Sequence, residues 1–169
     1  MPLVLMTDDR TMDWAAAAAR LPHGALVVVR SRDGAKRAAL AQSLHGIAPL
    51  LIADDPALAA DTGAAGLHLP ERRIREAMHW RMRHPGWIIT ASAHSLRTLM
   101  HAGELDAVFL SPVFFTASHQ GARPLTPARA GLIAARAPVP VYALGGITPR
   151  NAALLAPAFS GIAAISALL

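Results

Sequence analysis

Residues 139–169, VPVYALGGITPRNAALLAPAFSGIAAISALL, carry the clearest chemical signal in the chain. A β-branched apolar run leads directly into Gly145 and Gly146, and a second apolar run ends at Ser166. With no Cβ in the way, two successive backbone N–H groups can approach an anion closely. Pro149 then fits the first turn of a helix. Two adjacent strands that both end in small, N–H-presenting residues make a phosphate site. In a parallel barrel the loops after strands 7 and 8 are where that site is expected. Gly145, Gly146 and Ser166 are the candidate phosphate-binding residues.

Other chemistry-bearing residues recur at the ends of apolar runs. Val28, Arg30 and Arg32 alternate along one strand and point the same way, so the two arginines either clamp a diphosphate bidentately or simply mark a strand exit at the surface. Asp54 is a candidate Mg²⁺ ligand, because a hard cation prefers carboxylate and phosphate oxygens. Asp55, before Pro56, reads as a helix N-cap. His68 sits between two leucines and reads as a satisfied core histidine. Ser92 can donate to a ligand oxygen, Ser95 can cap the next helix, and His94 is either a proton carrier or a supporting residue. The stretch Ser111-Pro112-Val113-Phe114-Phe115-Thr116-Ala117-Ser118-His119-Gln120-Gly121 mixes aromatics with hydroxyls. Thr116 and Ser118 are candidate phosphate donors and the phenylalanines a wall for an aromatic ligand; loops of this length are disproportionately functional.

The elements that must position these residues alternate. Strands are predicted over 3–6, 25–30, 49–53, 66–69, 87–90, 107–110, 139–143 and 161–165, with helices over 14–20, 35–45, 56–62, 72–83, 95–102, 127–136 and 150–155. Strand–helix alternation implies a parallel sheet with helices outside. Eight strands favour a closed (β/α)8 TIM barrel over an open doubly wound sheet. The chain has 169 residues, below the ~200 at the lower end for such barrels. The expectation is one minimal barrel domain over 1–169, truncated after strand 8, with a bare flank that a second copy of the chain would cover.

Composition narrows the function. The sequence is 53% hydrophobic, much of it alanine, yet no run approaches the ~18 apolar residues of a membrane span. The start, MPLVLMTDDR, lacks the features of a signal peptide. With no cysteine there is no disulfide framework and no thiolate metal site. A cytoplasmic protein is expected. Net charge is +5. The last acidic residue is Asp106, and Arg123, Arg129, Arg136 and Arg150 follow it. That asymmetry favours anionic ligands. The cluster Arg72, Arg73, Arg75, Arg81 and Arg83 reads as a solvated helix face. Without interleaved aromatics it does not argue for nucleic acid.

In this order the segments resemble the thiamine phosphate synthase / thiazole tautomerase superfamily. LMTDDR resembles its first strand, LLIADD its I-x-N-D-D motif and GLHLPE its G-V-H-L-G-Q. ITASAHS resembles G-x-S-x-H, LSPVFFTASH resembles G-P-x-F-x-T-x-[ST]-K, and VYALGGITPRN and GIAAISAL match its last two motifs. The resemblance implies condensation of a hydroxymethylpyrimidine diphosphate with a thiazole phosphate, both small phosphorylated heterocycles, with release of diphosphate and participation of Mg²⁺. It places Arg30 and Arg32 near the diphosphate and Asp54 on the metal. Ser92, Thr116 and Ser118 become oxygen donors, and Gly145, Gly146 and Ser166 the thiazole-phosphate cradle. Several positions depart from the pattern. The family's strand-2 glutamine is Val28, and the asparagine that reads the pyrimidine is Ala53. The second metal-binding aspartate falls at Arg73, and the lysine after strand 6 is His119, counted with the catalytic candidates. Losing one carboxylate to an arginine should weaken Mg²⁺ binding. Two alternatives stay open: a tautomerase with His94 or His119 as proton carrier, although the family's loop-6 histidine falls at Pro112, and a phosphate-binding regulatory homologue without turnover.

Overall fold

The computed structural model of the chain describes residues 2–10, 12–116, 124–155 and 157–165. Its strands are β1 (Leu3–Met6), β2 (Leu26–Val29), β3 (Leu50–Ala53), β4 (Gly66–Leu69), β5 (Ile88–Ala93), β6 (Ala107–Leu110), β7 (Val141–Ala143) and β8 (Gly161–Ala164). They run parallel in a closed barrel in sequence order. Pairing of β8 with β1, through Leu3↔Ile162, Val4↔Ala163 and Leu5↔Ala164, closes the ring and decides against the open sheet. Between strands lie α1 (Trp14–Ala19), α2 (Gly34–Leu44), α3 (Pro56–Asp61), α4 (Ala77–Arg83), α5 (Leu96–Leu99) and α6 (Pro127–Ala134).

Period-2 alternation sorts each strand between two cores. Val27 and Val29 face outward with Leu5, Leu50 and Ile52, against Trp14, Ala41 and Leu44 of the first two helices. Val28 points inward with Val4, Met6, Leu51, Ala53, Phe109 and Leu144 and fills the barrel. Burying each large aliphatic side chain contributes about 1.5–3 kcal/mol. Alanine explains how a short chain closes the ring: Ala17, Ala41 and Ala59 are fully or almost fully buried, so the helices lie close to the strands. Gly66 is required where β4 meets β5, because a Cβ there would sit 1.9 Å from the Ile88 carbonyl oxygen.

Several elements are shorter or differently wound than their predicted spans. The helix over 72–83 divides into a 3-10 helix, Glu71–Glu76, and α4. Arg73 N–H donates to the Pro70 carbonyl at 2.9 Å, the tighter closure of that first turn. The helix over 150–155 is a 3-10 helix at Ala152–Leu155. β7 begins only at Val141, since Pro138 and Pro140 have no N–H for the ladder. β5 runs on to Ala93, which sets Ser92 opposite Phe109. Asp55 and Ser95 cap their helices as expected, accepting from Leu58 N–H at 3.0 Å and Thr98 N–H at 3.2 Å. Among the described residues no helix is long and apolar enough to cross a membrane.

Candidate active site at the mouth of the barrel

The polar residues gather where the strands end, and β2, β3 and β4 supply the basic rim. The Thr7 hydroxyl, fully buried at the end of β1, accepts from Arg30 N–H at 2.9 Å and donates to the Arg30 carbonyl at 3.0 Å. This fixes the backbone that presents Arg30. Arg32 is exposed one alternation further on, its N–H donating to Asp9 at 3.3 Å. The Ser31 hydroxyl bonds the same carboxylate and, with backbone and lysine help, holds the Asp9 pKa below its ordinary value.

Asp54 follows β3 in a left-handed conformation, φ 57°, which aspartate tolerates better than most side chains. Its N–H donates to the His68 carbonyl at 2.9 Å. Each carboxylate oxygen meets a different arginine, Oδ2 the Nη2 of Arg72 and Oδ1 the Nη1 of Arg73. Arg73 is gripped from its other side by Glu76, at 2.8 Å through Nε and 2.7 Å through Nη2. That pairing raises the guanidinium pKa and lowers the Glu76 pKa. Among the described residues no three histidine, aspartate or glutamate side chains converge to hold a metal ion. Asp54 was expected to ligate Mg²⁺, but its lone pairs face guanidinium protons and the second carboxylate position is Arg73. The residues present do not fit a hard dication.

Below the rim, His68 lies inside the barrel, 4.8 Å from the Phe109 ring. Its Nδ1 is 2.8 Å from Thr90 Oγ1 and its Nε2 3.0 Å from Ser92 Oγ. Burial, reinforced by the positive charge of Arg30, pushes its pKa down to about 3, against a smaller opposing pull from Asp54. The ring is therefore neutral at physiological pH, with one N–H and one bare nitrogen. Thr90 is 1% exposed, and its hydroxyl proton needs an acceptor, which His68 Nδ1 supplies. That assigns the ring proton to Nε2, where it donates to Ser92. The Ser92 hydroxyl proton is left to donate elsewhere, as a ligand oxygen requires. The sequence pointed to a satisfied core histidine at 68 but carried no signal linking it to Ser92.

Opposite this wall, four strands round the ring, β7 ends in Gly145 and Gly146 at φ +95° and +66°. Among the described residues neither N–H donates a hydrogen bond, as a phosphate cradle requires. Both glycines also meet a need the sequence did not reveal. A Cβ on Gly145 would lie 2.9 Å from Pro112 Cα, and one on Gly146 would lie 2.2 Å from the Phe115 carbonyl oxygen. The segment after β6 is bonded along this edge, Val113 N–H to the Leu144 carbonyl and Phe114 N–H to the Gly145 carbonyl, both at 3.0 Å. Asn151 Nδ2 holds the Gly146 carbonyl at 2.9 Å. Thr116 is half-buried next to this edge, while Ser118, His119 and Ser166 lie outside the described residues.

His94 stands on the rim after β5. Its Nδ1 donates to the Ser111 carbonyl at 2.7 Å, and Nε2 lies 3.8 Å from the Glu71 carboxylate. Val28 and Ala53 belong to the apolar barrel filling.

In a closed (β/α)8 barrel, polar residues at the strand ends and a glycine pair after β7 lie on the face where such barrels carry their active sites. Over residues 3–168 the chain matches the family described as thiamine monophosphate synthase, and it belongs to that family. A thiamine-phosphate synthase of Chlorobium luteolum is 32% identical over 178 residues, spanning 98% of this chain and 84% of the relative. One from Bordetella bronchiseptica is 33% identical, spanning 94% and 81%. A relative in Aquifex aeolicus is 40% identical over 96 residues, 56% of this chain and 50% of its own length. Among solved structures, thiamine phosphate pyrophosphorylase from Pyrococcus furiosus superposes with a TM-score of 0.79 at 23% identity, covering 98% of this chain and 85% of that one. N-(5'-phosphoribosyl)anthranilate isomerase from the same organism superposes at 0.67 with 13% identity, covering 99% and 90%. These two show the shared barrel.

Proposed function

We propose that this chain makes thiamine phosphate by condensing hydroxymethylpyrimidine diphosphate with thiazole phosphate, as the names of its curated relatives suggest. The observation that carries the reading is the pair of anion handles on opposite walls of one mouth. Arginines stand after β2 and β4, and after β7 stand two glycine N–H groups that donate to no acceptor among the described residues. A reaction joining a diphosphate to a monophosphate needs two such handles, so that the reacting carbon and nitrogen meet between them. Arg30 and Arg32 bind the departing diphosphate. Ser92, aimed by His68, donates to it or to the pyrimidine. Gly145 and Gly146, with Ser166, hold the thiazole phosphate, and Thr116, Ser118 and His119 are the further donors that the family resemblance implies. In the reaction the pyrimidine methylene–oxygen bond breaks, diphosphate leaves with the electron pair, and the thiazole nitrogen forms the new C–N bond. The cationic rim favours the developing negative charge.

The test supplies both heterocycles to the purified protein and detects product by oxidation to its fluorescent form. Thiamine phosphate is expected, and its formation is strongly slowed in Arg30→Ala. Isomerisation of a thiazole carboxylate phosphate, lost in His94→Ala, would replace this reading with the tautomerase. Thermal stabilisation by thiazole phosphate without turnover would replace it with a binding protein. Neither membrane nor nucleic acid enters this reading; the partners are small phosphorylated heterocycles, and the expected location is the cytoplasm.

A further inference from the structure

We propose that the rim between β3 and β4 uses guanidinium groups in place of a divalent cation, so that diphosphate departs from this chain without a metal ion. The inference rests on the condensation reading above. Its ground is the set of bonds Asp54 already makes. The left-handed backbone at Asp54 is compatible with both of its carboxylate oxygens meeting arginines of the β4 loop, one on each. Arg73 cannot swing aside freely, because Glu76 grips it twice and Trp80 Nε1 in turn donates to Glu76 at 3.2 Å. A hard cation demands several oxygen ligands with open lone pairs. Seating one at Asp54 would displace two guanidiniums and leave their charges beside a dication.

The arginines can do the electrostatic part of the task themselves. A guanidinium stays charged and offers parallel donors that match phosphate oxygens. Arg72 is 70% exposed at its side chain, so donors beyond its Asp54 contact remain open to a ligand. Arg30 and Arg32 follow β2, and Arg72 and Arg73 follow β4, the last two paired with Asp54 and Glu76. These four guanidiniums stand at the rim where a diphosphate would gather negative charge. When the carbon–oxygen bond breaks, the leaving oxygen keeps the electron pair and its charge is met by these arginines. The thiazole nitrogen supplies the pair for the new bond, and no further reactant is consumed.

The test measures condensation by the full chain in EDTA and again in millimolar Mg²⁺. Rates within about twofold of one another are expected. A rate that rises about tenfold or more with Mg²⁺ overturns the proposal and leaves the condensation reading intact. No product in either buffer overturns the condensation reading instead. Mn²⁺ electron paramagnetic resonance in the presence of inorganic diphosphate then decides the metal question. A protein-bound signal that disappears in Asp54→Asn overturns the proposal, and a spectrum of free Mn²⁺–diphosphate alone supports it. Arg73→Asp supplies the gain arm: its EDTA rate should fall about tenfold or more and recover with Mg²⁺, because two carboxylates then face the rim. Parent-like activity in EDTA with no response to Mg²⁺ would count against the proposal. Should that variant not fold, the resonance measurement on the unsubstituted chain still decides.

Discussion

In the proposed function, the two walls of the mouth offer an anion different parts of the chain. After β7 the donors are backbone N–H groups, held by positive-φ glycines that also admit the loop-6 backbone. After β2 and β4 they would be long side chains, Arg30, Arg32, Arg72 and Arg73, the last two paired with the carboxylates of Asp54 and Glu76. The difference teaches that, under the proposed reading, recognition and folding are inseparable on the first wall and separable on the second. Any side chain added to the cradle meets protein before it meets ligand. An arginine on the rim can be removed while the barrel stays closed, so this is the wall on which chemistry can diverge.

The largest expected effect sharpens that contrast. Arg30→Ala should lower kcat/KM for condensation by roughly a hundredfold, as loss of one aligned electrostatic group does, with an unchanged urea midpoint. A midpoint that falls with activity would show that this wall, too, is structural. Next, Gly146→Ala should destabilise the fold by about 1–3 kcal/mol through strain at φ +66° and the Phe115 contact, and weaken phosphate binding with it. Titration of glycine-labelled protein with inorganic phosphate, followed by amide shifts, should move Gly145 and Gly146 in the parent. Silent amides would remove the cradle from the site.

A third effect comes from the floor between the walls. The folded pKa of His68, about 3, lies below its ordinary 6.5. Above pH 6.5 the ring is neutral in both states. Between 6.5 and about 3 the unfolded chain binds a proton that the folded chain refuses, so stability falls as pH drops, by up to about 1.4 kcal/mol per unit. His68→Gln should flatten that dependence in denaturation at pH 7 and pH 5, while a parental slope would show that the ring is not the group responsible. The smallest effect is Arg72→Ala. This arginine is largely exposed and its ion pair is screened by solvent, so stability should change by less than about 0.5 kcal/mol, checked by the urea midpoint.

Much of the barrel was legible because buried parallel strands are apolar on both faces and stand out between polar turns. All eight strands fall where those runs lie, and the caps at Asp55 and Ser95 follow from short-range chemistry that needs no tertiary partner. Helix winding was less legible. Whether 71–76 closes as a 3-10 turn depends on packing around Arg73 and Glu76, and both α and 3-10 winding satisfy the same apolar pattern. The site followed the same division. Positions at strand ends were readable from order along the chain, but partners were not. Asp54 reads as a metal ligand because a carboxylate at a strand end suits a hard cation, whereas its neighbours in space are Arg72 and Arg73, eighteen and nineteen residues on.

The sequence alone determined the number and order of the strands, the left-handed freedom at Gly145 and Gly146 and the set of residues at each strand exit. Those depend on side-chain type and on intervals of a few residues. Only the closed barrel decided that Thr90 orients His68 and His68 orients Ser92, that loop 6 leans on the glycines, and that arginines occupy the carboxylate of Asp54. Each of these is a contact between strands or loops far apart along the chain. Such contacts arise when ring closure brings the strand ends together, and no local pattern encodes them.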